Sequence, residues 1–154
     1  MAGFYGSPIG WFKIEANERE LIYVGMVDSV WLQAKPSALE QLAIEQIKEY
    51  FDGKRKQFDI PYTLGDVSDF TQRVFDGLVM QIGYGQTISY GKLAAMVGSA
   101  GASRAVGRAM ASNPISVIVP CHRVIGYKDL GGYAWALSAK AWLLEHEAKY
   151  VKAL

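Results

Sequence analysis

The stretch "KRKQFDIPYTLGDVSD", residues 54–69, divides this chain more sharply than any other feature. Pro61 and Gly65, set among turn residues, mark it as a linker. The hydrophobic pattern differs on its two sides. Before it, "GWFKIEA" and "LIYVGMV" are β-rich runs separated by the polar "NERE", the pattern of a hairpin. "PSALEQLAIEQIKEYFDG" then takes up helical spacing through Leu39, Leu42, Ala43, Ile47 and Tyr50. Ser37 followed by Glu40 is a capping-box pattern, and Gly53 supplies the stop. After the linker, "DFTQRVFDGLVMQIG" sets Val74, Phe75, Leu78, Val79 and Ile82 on one side of a further helix. The expectation is an α/β (α+β) chain of two small domains, residues 1–69 and 70–154. The first holds neither cysteine nor histidine and reads as structural.

Composition narrows the classes. No apolar run approaches the roughly 20 residues that span a bilayer, so no membrane is expected as a partner. The N-terminal stretch lacks a basic segment followed by an apolar one, so no export signal is read. The single cysteine forms no intrachain disulfide, and no Cys/His cluster suits zinc. These features point to a cytoplasmic protein with no metal or other cofactor. Residues 1–70 carry a net charge of −4 and residues 71–154 one of +5. Such asymmetry fits a second half that meets a polyanion, and it also fits ordinary scatter in a short chain.

"TISYGKLAAMVGSAGASRAVGRAMASNP" reads as two short helices around a small-residue turn. Ser89 is placed to cap the first and Ser103 the second, which ends at Asn113-Pro114. Arg104 and Arg108, four apart, share one face of the second helix. Val106, Ala109 and Met110 occupy the other. Ala102, Ala105, Gly107 and Ala111 make that helix narrow and smooth, with a cation near its N-terminal end. Such a helix suits entry into a DNA groove, and small-residue helices also pack in cores. The segment alone does not choose between them.

"IVPCHRVIG" contains the only cysteine, Cys121, and one of the two histidines, His122. The β-branched run "ISVIVP" is expected to form a buried strand that delivers Cys121 to a pocket. Thiols act as nucleophiles when deprotonated, so a cation, a donor or a base is needed nearby. Adjacent residues of an extended chain point to opposite sides, so contact with His122 calls for a water or a bend. A basic histidine is commonly oriented by a third group. In "SAKAWLLEHEAKYVKAL", Glu147 shares its face with Leu143, Leu144, Lys140 and Val151. Glu145 aligns instead with Trp142, Lys149 and Lys152, nearer solvent. Glu147 is thus the better-placed carboxylate, against the alternative that it is an ordinary surface residue.

"NPISVIVPCHRVIG", the later "GGY" and "KAWLLEHE" together resemble the O6-alkylguanine-DNA alkyltransferase family, whose signature is PCHRV. The resemblance runs from about Phe70 to Ala148, includes "ISYGKLA" and "SRAVGRAMASNP", and extends more weakly through "GSPIGWFKIEA". It implies a ribonuclease H-like N-terminal domain and a winged helix-turn-helix-like C-terminal domain carrying the active site. It also implies a monomer with no obligate protein partner, acting on double-stranded DNA. The implied reaction transfers an alkyl group from O6-alkylguanine, with O4-alkylthymine as a second candidate substrate, to Cys121 in one irreversible turnover.

By the same resemblance His122 deprotonates Cys121 through a water, Glu147 orients His122, and Asn113 braces the active-site turn. Tyr90 donates to N3 of the departing guanine and Tyr133 flanks the pocket near O6. Arg104 fills the stack left by the flipped nucleotide. The helix beginning at Ser103, with Ala105, Gly107 and Arg108, lies in the minor groove, and Arg123 is grouped with these DNA-binding residues. Two departures stand out: Trp135 lies where small residues are usual, either narrowing the pocket or packing outward, and Gly83 replaces a common proline, which should loosen its turn without touching the chemistry. The rival reading is a module that binds alkylated guanine without transfer.

Overall fold

The computed structural model describes residues 2–30, 35–133 and 136–152. These divide into two compact units. The first comprises the chain up to Gly65 together with Pro114–Ile118; the second comprises Asp66–Asn113 and the chain from Val119 onward.

In the first unit, β1 (Gly3–Ser7), β2 (Gly10–Ala16) and β3 (Leu21–Val27) form an antiparallel meander with α1 (Ala38–Phe51) packed on it. The hairpin expected from "GWFKIEA" and "LIYVGMV" is β2–β3. Its loop is closed by Asn17, whose side-chain oxygen accepts from the N–H groups of Arg19 and Glu20. Alternation places Phe12 and Ile14 in the core with Val24, and the register shift between Glu15 and Ala16 goes with the burial of Leu21 as well. The face of α1 differs from the expected one in detail: Glu40, Ala43, Ile47 and Tyr50 are buried, whereas Leu42 is 42% exposed.

Glu40 belongs inside because it completes the capping box with Ser37 and also accepts from the Ala16 N–H at 2.9 Å. One carboxylate thereby closes a helix end and fastens the end of β2. At the other terminus Gly53, at φ 76°, begins a Schellman closure. Its N–H donates to Tyr50 O and that of Lys54 to Glu49 O. β3 also receives two short parallel bridges, from Tyr62 to Leu21 and from Ile115 to Val24.

The second unit contains α2 (Asp69–Gln81), α3 (Tyr90–Met96), α4 (Ser103–Ala111) and α5 (Leu137–Tyr150). Val74, Phe75 and Leu78 of α2 are buried as the spacing predicts, but Val79 is 42% exposed and Ile82 lies at the C-terminal cap. β4 (Ile88–Ser89) pairs in parallel with β5 (Val124–Ile125), and the crossover between them contains α3 and α4. This pairing sets Tyr90, the first residue of α3, beside the segment that carries Cys121. Ser89 caps α3 through the Lys92 N–H, as expected.

The cap expected at Ser103 is displaced by one residue. Ala102 is the cap, without a side-chain bond, and Ser103 is the first helical residue. Ala102 has φ −92° and ψ 31° because its N–H closes a turn on Ser99 O, so the backbone is not extended as a serine cap requires.

Candidate active site

The segment that delivers Cys121 is not the expected strand. Ile115 makes an isolated bridge, and Ile118 N–H donates to Ser116 O across Val117, which sits at φ 71°. That is a γ-turn of the rarer, positive-φ kind, strained for a β-branched residue. A second γ-turn follows: Cys121 N–H donates to Val119 O across Pro120, at φ −83° and ψ 60°. Cys121–Arg123 then form a single 3₁₀ turn. Proline at both 114 and 120 removes two N–H groups that a strand ladder would use. The Asn113 carboxamide takes over part of that role, donating to Val119 O at 2.9 Å.

Cys121 is 4% exposed at the base of a cavity of about 620 Å³, lined among others by Tyr90, Arg104, Gly107, Tyr127 and Tyr133. Burial pushes the thiol pKa up, while a hydrogen bond from Asn113 and the positive charge of Lys140 pull the other way. Left alone, this thiol holds its proton. A base is therefore required.

The ring of the neighbouring His122 is held from its far side. His122 is fully buried, and its Nε2 lies 2.7 Å from Glu147 Oε2. Burial alone would raise the pKa of Glu147, but hydrogen bonds from His122 and Arg123 and the positive charge of Arg123 outweigh it and hold the carboxyl far below the usual carboxylate range. An ionised carboxylate only accepts, so Nε2 carries the ring proton and Nδ1 keeps its lone pair. Nδ1 is buried and has no hydrogen-bond partner among the described residues. Burial depresses the pKa of His122 more than Glu147 raises it, which keeps the ring neutral and able to accept a proton.

Glu147 is satisfied at both oxygens. Arg123 grips it with a two-pronged contact, Nε to Oε1 at 2.8 Å and a terminal nitrogen to Oε2 at 3.1 Å. Oε1 also accepts from the Gly85 N–H at 3.1 Å, and Arg123 donates to Ile82 O. Two sequence readings are corrected here. Arg123 is buried and committed to Glu147, so it is not presented to DNA. The Gly83 turn is also not loose: Gly83 N–H donates to Gln86 Oε1 at 2.7 Å, a bond that proline could not make, and Gln86 N–H returns to Gly83 O. Through Gly85 and Ile82 that turn touches the charged pair directly.

Lys140 is the group whose importance the sequence did not reveal. Helical spacing shows only that it shares the face of Glu147. It is fully buried, its Nζ donates to Val124 O at 2.6 Å and to Gly132 O at 2.8 Å, and it lies 5.7 Å from the centre of the Tyr90 ring. Burial lowers its pKa to about 8, against the opposing pull of Cys121 and Asp129. Gly132 N–H donates in turn to the Tyr90 hydroxyl at 3.2 Å. Gly131, at φ 69°, is required because an added Cβ would stand 2.6 Å from the Tyr90 ring. Burial raises the pKa of Tyr90, so its hydroxyl stays protonated and can donate.

Tyr133 lines the cavity too, with a buried hydroxyl lacking a partner among the described residues and a pKa raised by burial and by Cys121. Ser103, Arg104 and Arg108 are exposed along α4, Ala105 and Gly107 are half-buried, and Val106, Ala109 and Met110 face inward as expected. The reading of Trp135 falls outside the described residues. Among the described residues no cluster of His, Cys, Asp or Glu suits a metal ion, and no helix is long and apolar enough to cross a membrane.

A buried thiol and a cationic small-residue helix around one cavity, with a neutral histidine polarised by a carboxylate next to the thiol in sequence, define the class of a nucleophilic transfer site beside a nucleic-acid-binding helix. Comparison with known proteins makes this specific. Residues 69–149 match the 6-O-methylguanine DNA methyltransferase DNA-binding domain, and residues 1–64 match the ribonuclease-like domain of the same family.

The chain is 39% identical over 150 residues to a methylated-DNA–protein-cysteine methyltransferase of Mycolicibacterium paratuberculosis, covering 94% of this chain and 90% of the relative. It is 41% identical over 153 residues to that of Mycobacterium leprae, covering 94% and 90%. Its fold matches the crystal structure of Mycobacterium tuberculosis O6-methylguanine methyltransferase with a TM-score of 0.85 at 37% identity, covering 100% of this chain and 97% of the other. A structure of Mycobacterium tuberculosis OGT in complex with DNA matches at 0.85 and 38%, covering 96% and 92%. The chain belongs to the 6-O-methylguanine DNA methyltransferase family.

Proposed function

We propose that this protein repairs DNA by direct reversal, moving the alkyl group of O6-alkylguanine onto Cys121. The observation that carries the reading is the 2.7 Å contact of His122 Nε2 with Glu147, which leaves the other ring nitrogen without a hydrogen-bond partner among the described residues, on the residue that follows the cavity thiol. In a duplex the O6-alkyl carbon lies against the stack, so the nucleotide is first extruded, at a cost of a few kcal/mol. Arg104, exposed at the cavity and on α4, fills the gap, and α4 tracks the minor groove through Ser103, Ala105, Gly107 and Arg108.

His122 Nδ1 then takes the thiol proton, with a water as relay. The sulfur forms a bond to the alkyl carbon as the carbon–O6 bond breaks and its electron pair passes to guanine. Tyr90 donates to the developing negative charge at N3, and Tyr133 flanks O6. In the net balance the thiol proton ends on guanine and the protein retains a thioether. A thioether has no S–S bond for a thiol to exchange with, so each molecule acts once.

The reading extends to a cytoplasmic monomer that needs no cofactor, with residues 1–69 as a structural domain and 70–154 as the working one. Its test is intact-protein mass spectrometry after mixing with a duplex containing O6-methylguanine. A gain of one methylene mass, absent in Cys121→Ala, is the expected result. Unchanged mass with retained lesion binding identifies a sensor instead.

A further inference from the structure

The loop between β5 and α5 presents one large side chain that little of the described protein covers. Tyr127 is 92% exposed, more than any other large hydrophobic residue described, yet it lines the same cavity as Cys121, Tyr90 and Arg104. The loop itself is held. One ammonium, Lys140 Nζ, ties Val124 O of β5 to Gly132 O within the loop. Inside it, Gly131 N–H donates to the Asp129 carboxylate at 2.8 Å, and a Cβ on Gly126 would stand 2.5 Å from that same oxygen.

Ordering such a loop costs backbone entropy, and leaving a tyrosine ring in water forgoes the burial of roughly 150–250 Å². Both costs are offset when a flat, apolar surface covers the ring at the cavity mouth. The extruded nucleotide supplies such a surface, because every base has a π face. We propose that Tyr127 is a stacking platform for the nucleotide entering the Cys121 cavity from DNA. This rests on the reading of the chain as an alkylguanine transferase. Tyr127 is a positioning residue: it favours the extruded state and takes no part in proton or alkyl transfer.

The test measures lesion preference, the ratio of affinities for an O6-methylguanine duplex and its unmodified counterpart, in the full chain carrying Cys121→Ala so that no transfer intervenes. Tyr127→Ala should lower that ratio about tenfold, and Tyr127→Phe, which keeps the ring, should leave it within about twofold. An unchanged ratio in Tyr127→Ala overturns the proposal. So does an equal fall in both variants, which would make the hydroxyl and not the ring the contact. Failure of the unsubstituted protein to gain mass from the lesion duplex would refute transfer alone, and the binding ratio would still decide the role of Tyr127.

Discussion

His122 Nε2 lies 2.7 Å from Glu147 Oε2, and Arg123 grips the same carboxylate through two nitrogens. The pair keeps Glu147 ionised in a buried place, and ionised Glu147 in turn fixes which nitrogen of His122 is free to take a proton. Glu147→Gln keeps the shape but lets the amide donate or accept, so the tautomer is no longer dictated. Transfer to Cys121 should slow by about a hundredfold, read as single-turnover rates from intact mass, while lesion binding changes little. Wild-type rates in Glu147→Gln would remove the carboxylate from the mechanism.

The same network sets an acid limit. Glu147 has a folded-state pKa depressed below its ordinary 4.5, so as pH falls the unfolded chain binds the extra proton first. Its stabilisation is complete above that ordinary value and is lost progressively below it. Denaturant midpoints measured between pH 7 and pH 3 should fall more steeply for the wild type than for Glu147→Gln. Parallel curves would contradict this.

Lys140 should act on the thiol as well as on the loop. With its pKa lowered to about 8, it is cationic beside Cys121 at neutral pH and loses that charge as pH rises. Between about 8 and the ordinary 10.5 the unfolded chain holds a proton that the native one lacks, so its burial cost to stability shrinks with pH. Iodoacetamide alkylation of Cys121 should therefore be slower in Lys140→Met below about pH 8, with the gap closing above it. A gap that stays constant with pH would mean that only the loop contacts matter.

Arg104 and Arg123 should part company. Arg104→Ala should slow transfer from a lesion duplex by about tenfold more than it slows reaction with free O6-benzylguanine, and should lower the slope of log affinity against log salt by about one. Arg123→Ala should leave that slope alone and destabilise the fold by about 3–5 kcal/mol, because Glu147 is left buried without its ionic partner. Matching salt slopes for the two variants would restore Arg123 to the DNA surface.

Glu40 should matter to stability and not to chemistry. Glu40→Ala removes half of the capping box and the acceptor for the Ala16 N–H, an expected loss of about 1–3 kcal/mol by urea denaturation. The rate of transfer at saturating lesion duplex should stay within about twofold. A large loss of rate would show that residues 1–69 do more than support the fold.

Local rules settled much of this protein. The Ser37–Glu40 cap, the Gly53 stop, the β2–β3 hairpin and the inward face of α4 depend on residues within a few positions of one another, and they form as the spacing dictates. Helical periodicity alone chose Glu147 over Glu145, and the PCHRV stretch identified the thiol. Tertiary structure decided what no short window contains. The strand expected at "ISVIVP" became two γ-turns and a 3₁₀ turn, because two prolines withhold N–H groups and Asn113 captures Val119 O. The resemblance groups Arg123 with the DNA-binding residues, but Glu147, 24 positions away, offers it a buried ionic partner. Lys140 looked like an ordinary helical lysine until two carbonyls from separate segments met its ammonium. Charges, unlike apolar faces, take their place from partners brought together only when the chain folds.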